Sequence, residues 1–245
     1  MQTLFRIHLE TVDSTNNWAK VHAHELPEEG LSVISADHQS GGRGRFCNRG
    51  WFSPKGLNIY ATFCFFMEPD RQDMGHAAQV LALSGAALLE EQNAFSLIKW
   101  PNDLMLNKQK IGGILCESLF LKNKRCIIAG IGININMQPK ELEQIGRPAT
   151  SLFAEQGILK DPRQLLHRLE KLFSSNLDLF LKKGFAPFFQ QLKDHSYFKT
   201  GDHITFHDNQ QLVEGSFEEL LADGSVRLLV DRNRSKIFYS GEFCT

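Results

Sequence analysis

Residues 5–12 (FRIHLETV) alternate apolar and polar positions, the period of a strand with one covered face. Asp13-Ser14-Thr15 then opens a helical pattern running from Asn16 to about Glu25, and the hydroxyls of Ser14 and Thr15 suit an N-cap. LSVISADH (31–38) predicts a second strand, and the near-continuous apolar run LNIYATFCFF (57–66) a third, rich in β-branched and aromatic residues. Between them, residues 39–56 are glycine-rich and carry no apolar period, so they predict a long loop, a feature that compact domains keep mostly for function. From Met74 to Gln92 the pattern is helical, with Val80, Leu81, Leu83, Ala87 and Leu88 on the buried face. LIKW, LML, IGGILCESLF and RCIIAGIGIN follow as short strands separated by Pro101-Asn102-Asp103, Asn107-Lys108-Gln109 and Lys122-Asn123-Lys124, the turn chemistry of an antiparallel meander. Residues 162–194 are helical again, broken near Pro187. Beyond Lys199 the composition changes to short strands, HITFH, LVEGSFEELL, SVRLLV and KIFYS, a unit too small to be stable alone and therefore docked on the rest. The expectation is an α+β domain over residues 1–197, its sheet mixed and largely antiparallel and packed with helices, with a small β domain over 198–245.

Composition narrows the class. The 245 residues hold 27 Lys and Arg against 28 Asp and Glu, a net charge of −1, which lacks the electrostatic footprint of a duplex-DNA binder. The five cysteines are an odd number, with no Cys-x-x-Cys and no zinc spacing, and read as reduced thiols of a cytoplasmic protein. The N-terminus lacks the apolar core of a signal peptide, and no apolar run approaches the ~18–20 residues that span a bilayer, so no membrane partner is expected. The nine histidines are scattered and predict no metal site. Cys116, inside IGGILCE, reads as a small buried hydrophobe and not as an acyl-thioester nucleophile.

Three stretches carry candidate chemistry. Glycines in Gly41-Gly42-Arg43-Gly44-Arg45 let a backbone approach a ligand closely, and two guanidiniums add forked donors for carboxylate or phosphate; a flexible basic surface loop fits the same composition. Lys99-Trp100-Pro101-Asn102-Asp103 is followed by Lys110 beside Gly112-Gly113, a compact charge where backbones come close. Gly130-Ile131-Gly132-Ile133-Asn134 lacks the third glycine of a dinucleotide fingerprint and reads equally as a strand end with close packing.

In their order and spacing these segments resemble the biotin protein ligases. The matches are Asp13-Ser14-Thr15-Asn16, Gln39 with Gly42 to Arg45, Trp51-Phe52-Ser53-Pro54, Lys99 to Leu104, Lys110 with Gly113-Ile114-Leu115, Gly130 to Asn134, and Ala149-Thr150-Ser151-Leu152. The resemblance implies that catalytic fold, with an SH3-like C-terminal barrel. It implies biotin and ATP as substrates with Mg²⁺, a biotinyl-AMP intermediate, and transfer to a lysine of a biotin carboxyl carrier protein. By the same resemblance Ser14, Thr15, Asn16, Gln39, Arg43, Gly44, Arg45, Lys110, Gly113, Gly130 and Gly132 contact biotin, the glycines because the ligand lies against backbone. Trp51, Asn102, Lys110 and Asn134 belong to the nucleotide side, and Lys110, Arg43, Arg45 and Asp103 to catalysis, with Lys110 leading and Asp103 orienting or deprotonating the acceptor lysine. The chain departs from the family pattern by one extra residue between Arg45 and Trp51.

The first strand begins about a dozen residues before Ser14, which with the net charge of −1 predicts a ligase without an N-terminal DNA-binding repressor domain and without a nucleic-acid partner. A homodimer through a sheet edge is compatible with the resemblance. The rival readings are a lipoate or octanoate ligase or transferase, and a biotin-binding protein without catalysis. Lys99 to Leu104 together with Gly42 to Arg45 favour biotin over lipoate, and phosphate-facing cations favour an enzyme over a binder.

Overall fold

The computed structural model describes every residue except 1–2, 46–49, 122, 209–210, 232–233 and 245. Its main sheet has seven strands: β1 (Leu4–Val12), β2 (Leu31–Gln39), β3 (Ile59–Met67), β4 (Leu97–Lys99), β5 (Asp103–Leu106), β6 (Gln109–Leu121) and β7 (Lys124–Ile133). Their order is β1-β2-β3-β7-β6-β5-β4. Only β1 and β2 run parallel, which requires a crossover, supplied by helix α1 (Thr15–Val21); every other neighbour is antiparallel. The sheet is thus mixed and largely antiparallel. β3 and β7, at its centre, are covered on both faces, which is why their sequences run apolar without alternation.

One face is covered by α2 (Ala77–Glu91) and α5 (Pro162–Lys183), which share a polar contact from Asn176 Nδ2 to Ser84 Oγ at 2.9 Å. Phe173 of α5 packs on Phe63 and Phe65 of β3, with ring centroids 4.9 and 6.1 Å apart. On the opposite face α1 buries Ala19 against Ile34, Cys64, Cys126 and Ile128, a smaller satellite core. That helix stops at Val21, short of Glu25: His22 still makes the last helical bond, from its N–H to Trp18 O at 3.1 Å, but its own φ of −99° and ψ of 9° leave the helical range, and Glu25 N bonds back to His22 O in a turn. Two short helices escape the periodicity argument, α3 (Pro139–Glu143) and α4 (Leu152–Gln156). At five residues each, they are defined by their caps, the Gln138–Glu141 capping box and Ser151 Oγ accepting from Ala154 N. Near Pro187 a 3-10 turn (Ala186–Phe188) separates α5 from α6 (Phe189–Asp194).

The C-terminal sheet has five strands, β8 (His203–His207), β9 (Leu212–Leu220), β10 (Val226–Asp231), β11 (Arg234–Phe238) and β12 (Glu242–Cys244), in the order β11-β10-β9-β8-β12. Three residues of β12 are too few to show a period, yet pairing with β8 carries Glu242 to the main domain. Both sheets share one continuous apolar core. Trp100 ties them together: its ring meets Phe206 and Phe243 at 6.0 and 6.2 Å, and its Nε1 donates to Gly224 O at 2.9 Å. Gln79 Nε2 donates to the same carbonyl at 3.0 Å. Among the described residues no helix is long and apolar enough to cross a membrane.

α2 lies close to the sheet because residue 85 has no side chain: a Cβ there would meet Leu104 Cδ1 at 2.9 Å and Ile131 Cδ1 at 3.2 Å. Gly85→Leu would gain up to about 1 kcal/mol of helix propensity but incur overpacking of about 1–3 kcal/mol. Net destabilisation is expected, visible as a lower urea midpoint with an unchanged slope.

Candidate active site

A cleft opens where the start of α1, the glycine-rich loop after β2, the β4–β5 turn, the facing stretches of β6 and β7, and β12 meet. Ser14, Thr15, Asn16, Gln39, Arg43, Gly44, Arg45, Trp51, Asn102, Asp103, Lys110, Gly113, Gly130 and Gly132 all line it. Asn134 does not. It lies in a small adjoining recess with Trp51, Lys110 and Arg147, and its Nδ2 is committed to Thr150 O at 3.0 Å.

The floor is a run of hydrogen bonds. Ser14 holds the N-cap position of α1, but its hydroxyl caps nothing; the first free N–H of the helix, that of Thr15, donates instead to Gln39 Oε1 at 2.9 Å. Gln39 Nε2 donates to Ser53 Oγ at 3.2 Å, and Ser53 donates to Trp51 O at 3.0 Å. On the other side Thr62 Oγ1 lies 2.8 Å from Thr15 Oγ1 and 2.7 Å from Asn16 Oδ1. An amide oxygen only accepts, so Thr62 gives its single proton to Asn16, while Thr15 Oγ1, also 3.2 Å from Gln39 Oε1, has one proton to share between Thr62 Oγ1 and that second amide oxygen. Asn16 Nδ2 then donates to Leu115 O and to Glu117 Oε2, both at 3.0 Å.

Gly130 and Gly132 make room for protein side chains. A Cβ at residue 130 would lie 2.2 Å from Asn16 Oδ1, and one at residue 132 only 2.4 Å from the Trp51 indole. The glycines line the cleft and also seat Asn16 and Trp51. Gly113 plays the same part for Lys110, whose Cε lies 3.1 Å from the position of a Cβ.

Lys110 reaches this face through an irregularity in the sheet. β5 and β6 pair as Asp103 with Gly113 and Leu104 with Gly112, then slip so that Met105 faces Lys110. Residues 110 and 113 are an odd number apart and would point to opposite faces of a regular strand. The bulge at Ile111 reverses the alternation and brings Lys110 onto the side of Asp103 and Gly113. Its Nζ donates to Asp103 Oδ1 at 2.6 Å and lies 5.6 Å from the centre of the Trp51 ring. Behind it the strap at residues 148–150 runs alongside, with Thr150 N donating to Lys110 O at 3.0 Å. Asn102 holds the turn, its Nδ2 on Ile114 O and its own carbonyl accepting from Ile114 N at 2.9 Å.

The cleft is cationic but internally compensated. Arg43 Nη2 bonds both oxygens of Glu117, at 3.0 and 2.9 Å, and Arg45 Nη1 donates to Gly241 O at 3.0 Å. Burial lowers the pKa of the Arg45 guanidinium, while Glu242 and Asp103 oppose that shift, and it stays charged at any physiological pH. Lys99, 7% exposed, is lowered by burial in the same way, with Asp103 and Glu242 raising it. Of the residues that line the cleft, two have a buried donor without a partner among the described residues, Arg43 Nε and Trp51 Nε1. An unpaired buried donor costs about 1–3 kcal/mol.

Sequence reading missed Thr62, Lys99, Glu117, Arg147 and Glu242. Thr62 is hidden in an apolar strand and Glu117 in one that looks merely amphipathic; Lys99 was quoted inside a motif but given no role. Arg147 and Glu242 are brought to the cleft by tertiary contact alone. Phe46, Cys47, Asn48 and Arg49, around the extra residue before Trp51, lie outside the described residues. Burial pushes the Cys116 thiol up to about 12, leaving it protonated and inert as a nucleophile.

The site is thus a polar-floored cleft on a mixed sheet that gathers Arg43, Arg45, Lys99 and Lys110. The chain belongs to the biotin/lipoate A/B protein ligase family, whose model matches residues 8–134. It is 33% identical to the biotin--[acetyl-CoA-carboxylase] ligase of Paracoccus denitrificans over 194 residues, 73% of this chain and 75% of that one. It is 32% identical to the bifunctional ligase/repressor BirA of Salmonella typhimurium over 187 residues, 76% of this chain but 57% of the relative, so it spans little more than half of that protein's length. The solved biotin protein ligase from Aquifex aeolicus in complex with biotin and ATP is similar with a TM-score of 0.81 and 31% identity, covering 98% of this chain and 97% of that one.

Proposed function

We propose that the protein is an ATP-dependent biotin protein ligase, forming biotinyl-5'-AMP and passing the biotinyl group to a lysine of a carboxylase carrier domain in the cytoplasm. The observation that carries this is the convergence of Arg43, Arg45 and Lys110 on one cleft whose floor is a polar chain suited to a small cyclic amide. The Aquifex aeolicus neighbour, described with biotin and ATP, supports both substrates.

In the first step a carboxylate oxygen of biotin forms a bond to the α-phosphorus of ATP, and the bond to the β-phosphate oxygen breaks, releasing pyrophosphate. The difficulty is electrostatic, an anion meeting a polyanion, and fixed cations in a partly dry cleft offset it most strongly as charge gathers at the phosphorus. Lys110, turned inward by the bulge and seated against Trp51, is placed to meet both the carboxylate and the phosphate. Arg43 and Arg45 flank it on the loop. In the second step the acceptor amine attacks the acyl carbon, AMP leaves with the electron pair of the anhydride bond, and the amine proton passes to a base. Asp103, beside Lys110 at 2.6 Å, is the carboxylate positioned to orient that amine or take its proton. Among the described residues no three His, Cys, Asp or Glu side chains gather, so the donor set does not fit a protein-built metal cage; Mg²⁺ would enter on the ATP phosphates.

Mass spectrometry of the protein with ATP and Mg²⁺, offered biotin or lipoate in parallel, tests the reading: biotinyl-AMP and pyrophosphate are expected from biotin alone. Adenylate from lipoate alone would transfer the assignment to a lipoate ligase, and biotin binding without adenylate would remove the enzymatic reading. Lys110→Ala is expected to slow adenylation by about 10²–10³-fold, the scale for losing one transition-state charge contact. Asp103→Asn is expected to leave adenylation within about threefold while slowing transfer to an apo-carrier domain by about 10²-fold or more, the usual contribution of a general base. Single-turnover rates of the two half-reactions separate these effects, and normal rates in both steps would exclude the role given to Asp103.

A further inference from the structure

Glu117, on β6 two residues beyond Leu115, belongs to none of the motifs of the sequence, yet donors from two separate elements converge on it. Lys20 of α1 approaches Oε1 at 2.5 Å, Asn16 of α1 reaches Oε2 at 3.0 Å, and Arg43 of the glycine-rich loop bonds both oxygens. Burial alone would raise its carboxyl pKa, but the hydrogen bonds from Lys20 and Asn16 and the charges of Lys20 and Arg43 outweigh that and hold it below the ordinary carboxylate range. It is therefore an anion at neutral pH. Three donors on one carboxylate exceed what a surface ion pair needs, and two of those donors, Asn16 and Arg43, also line the cleft.

The geometry of Arg43 explains what this accomplishes. Glu117 engages Nη2 alone, and Arg43 Nε is buried without a partner. A guanidinium is planar, so fixing one terminal nitrogen against two oxygens also fixes the plane and the direction of the donors left over. The same carboxylate pins Asn16, whose Oδ1 is the end of the chain running back through Thr62, Thr15, Gln39 and Ser53 to Trp51 O. Arg43 and Trp51, two residues of the glycine-rich loop, are thus joined by one polar chain that crosses the floor of the cleft, and Glu117 closes it.

We propose that Glu117 is a positioning residue of the biotin site: its carboxylate orients Arg43 toward the substrate and couples that arginine to Asn16, so that it sets biotin affinity without touching the reacting atoms. This rests on the ligase reading. Because Glu117 acts through Arg43, its loss should appear in substrate binding and should vanish when Arg43 is already gone.

The test is a double-mutant cycle on the full chain, reading KM for biotin and kcat for biotinyl-AMP formation in the wild type, Glu117→Gln, Arg43→Ala and the double variant, with circular dichroism as a check of folding. Glutamine keeps the shape but turns an amide N–H₂ toward Lys20 or Arg43. Glu117→Gln is expected to raise KM for biotin about tenfold, the size of one charge-assisted hydrogen bond, to lower kcat by no more than Arg43→Ala lowers it, and to change KM less than about twofold when added to Arg43→Ala. An unchanged KM in Glu117→Gln, or the same factor in both backgrounds, overturns the proposal while leaving the ligase reading intact. A wild type that makes no biotinyl-AMP overturns both. Should Glu117→Gln not fold, Glu117→Asp serves in its place, keeping the charge near α1 while drawing the oxygens back from Arg43 by one methylene; an unchanged KM for that variant also counts against the proposal.

Discussion

The cleft exists because β7, a central strand covered on both faces, carries glycine at 130 and 132. Strands that run apolar through a core are normally filled side chain by side chain, and a glycine there weakens the strand. Here the missing Cβ atoms admit Asn16 from one side and Trp51 from the other to within contact of the backbone. From those two placements the rest follows. Asn16 connects α1 to β6 through Leu115 and Glu117, and Trp51 fixes the far end of the glycine-rich loop and provides a wall beside Lys110. A side chain at either position would displace the residue that lines the site and, with it, a chain of hydrogen bonds.

Three cations of the cleft already hold acceptors: Lys110 has Asp103, Arg43 has Glu117 and Arg45 has Gly241 O. An entering anion competes with these partners, so binding energy comes from what it adds, not from neutralising bare charges. A ligand that brings both a carboxylate and a phosphate can engage several cations at once, whereas either group alone meets a site largely satisfied from within. That arrangement favours a ligand carrying both groups over one carrying either alone.

Much of this was legible in the chain. The strands β2, β3 and β7 are written as apolar runs and the helices α2 and α5 in apolar period, and the motifs at Ser14 to Asn16, Arg43 to Arg45, Asn102-Asp103 and Lys110 do meet in one cleft. The bulge at Ile111 was not legible, because a register slip leaves no mark in composition, yet it decides which way Lys110 points. Thr62 and Glu117 were invisible for a related reason: a lone polar residue in a strand reads as its solvent face, and only the pairing of β3, β7 and β6 shows that these turn toward α1. Asn134 shows the converse, a motif residue whose amide the fold commits to the strap at Thr150. Glu242 comes from β12, whose three residues carry no pattern, and reaches the cleft because Trp100 docks the two sheets together.

The most direct test of the account is a crystal structure of the protein with a non-hydrolysable biotinyl-adenylate analogue. The account predicts that Lys110 Nζ and the Arg43 and Arg45 guanidiniums lie within hydrogen-bonding distance of the acyl-phosphate linkage, with Asn16 over Gly130 and Trp51 over Gly132 as they are here. An analogue bound outside this cleft, or bound within it while Lys110 and Arg43 keep only Asp103 and Glu117 as partners, would contradict it.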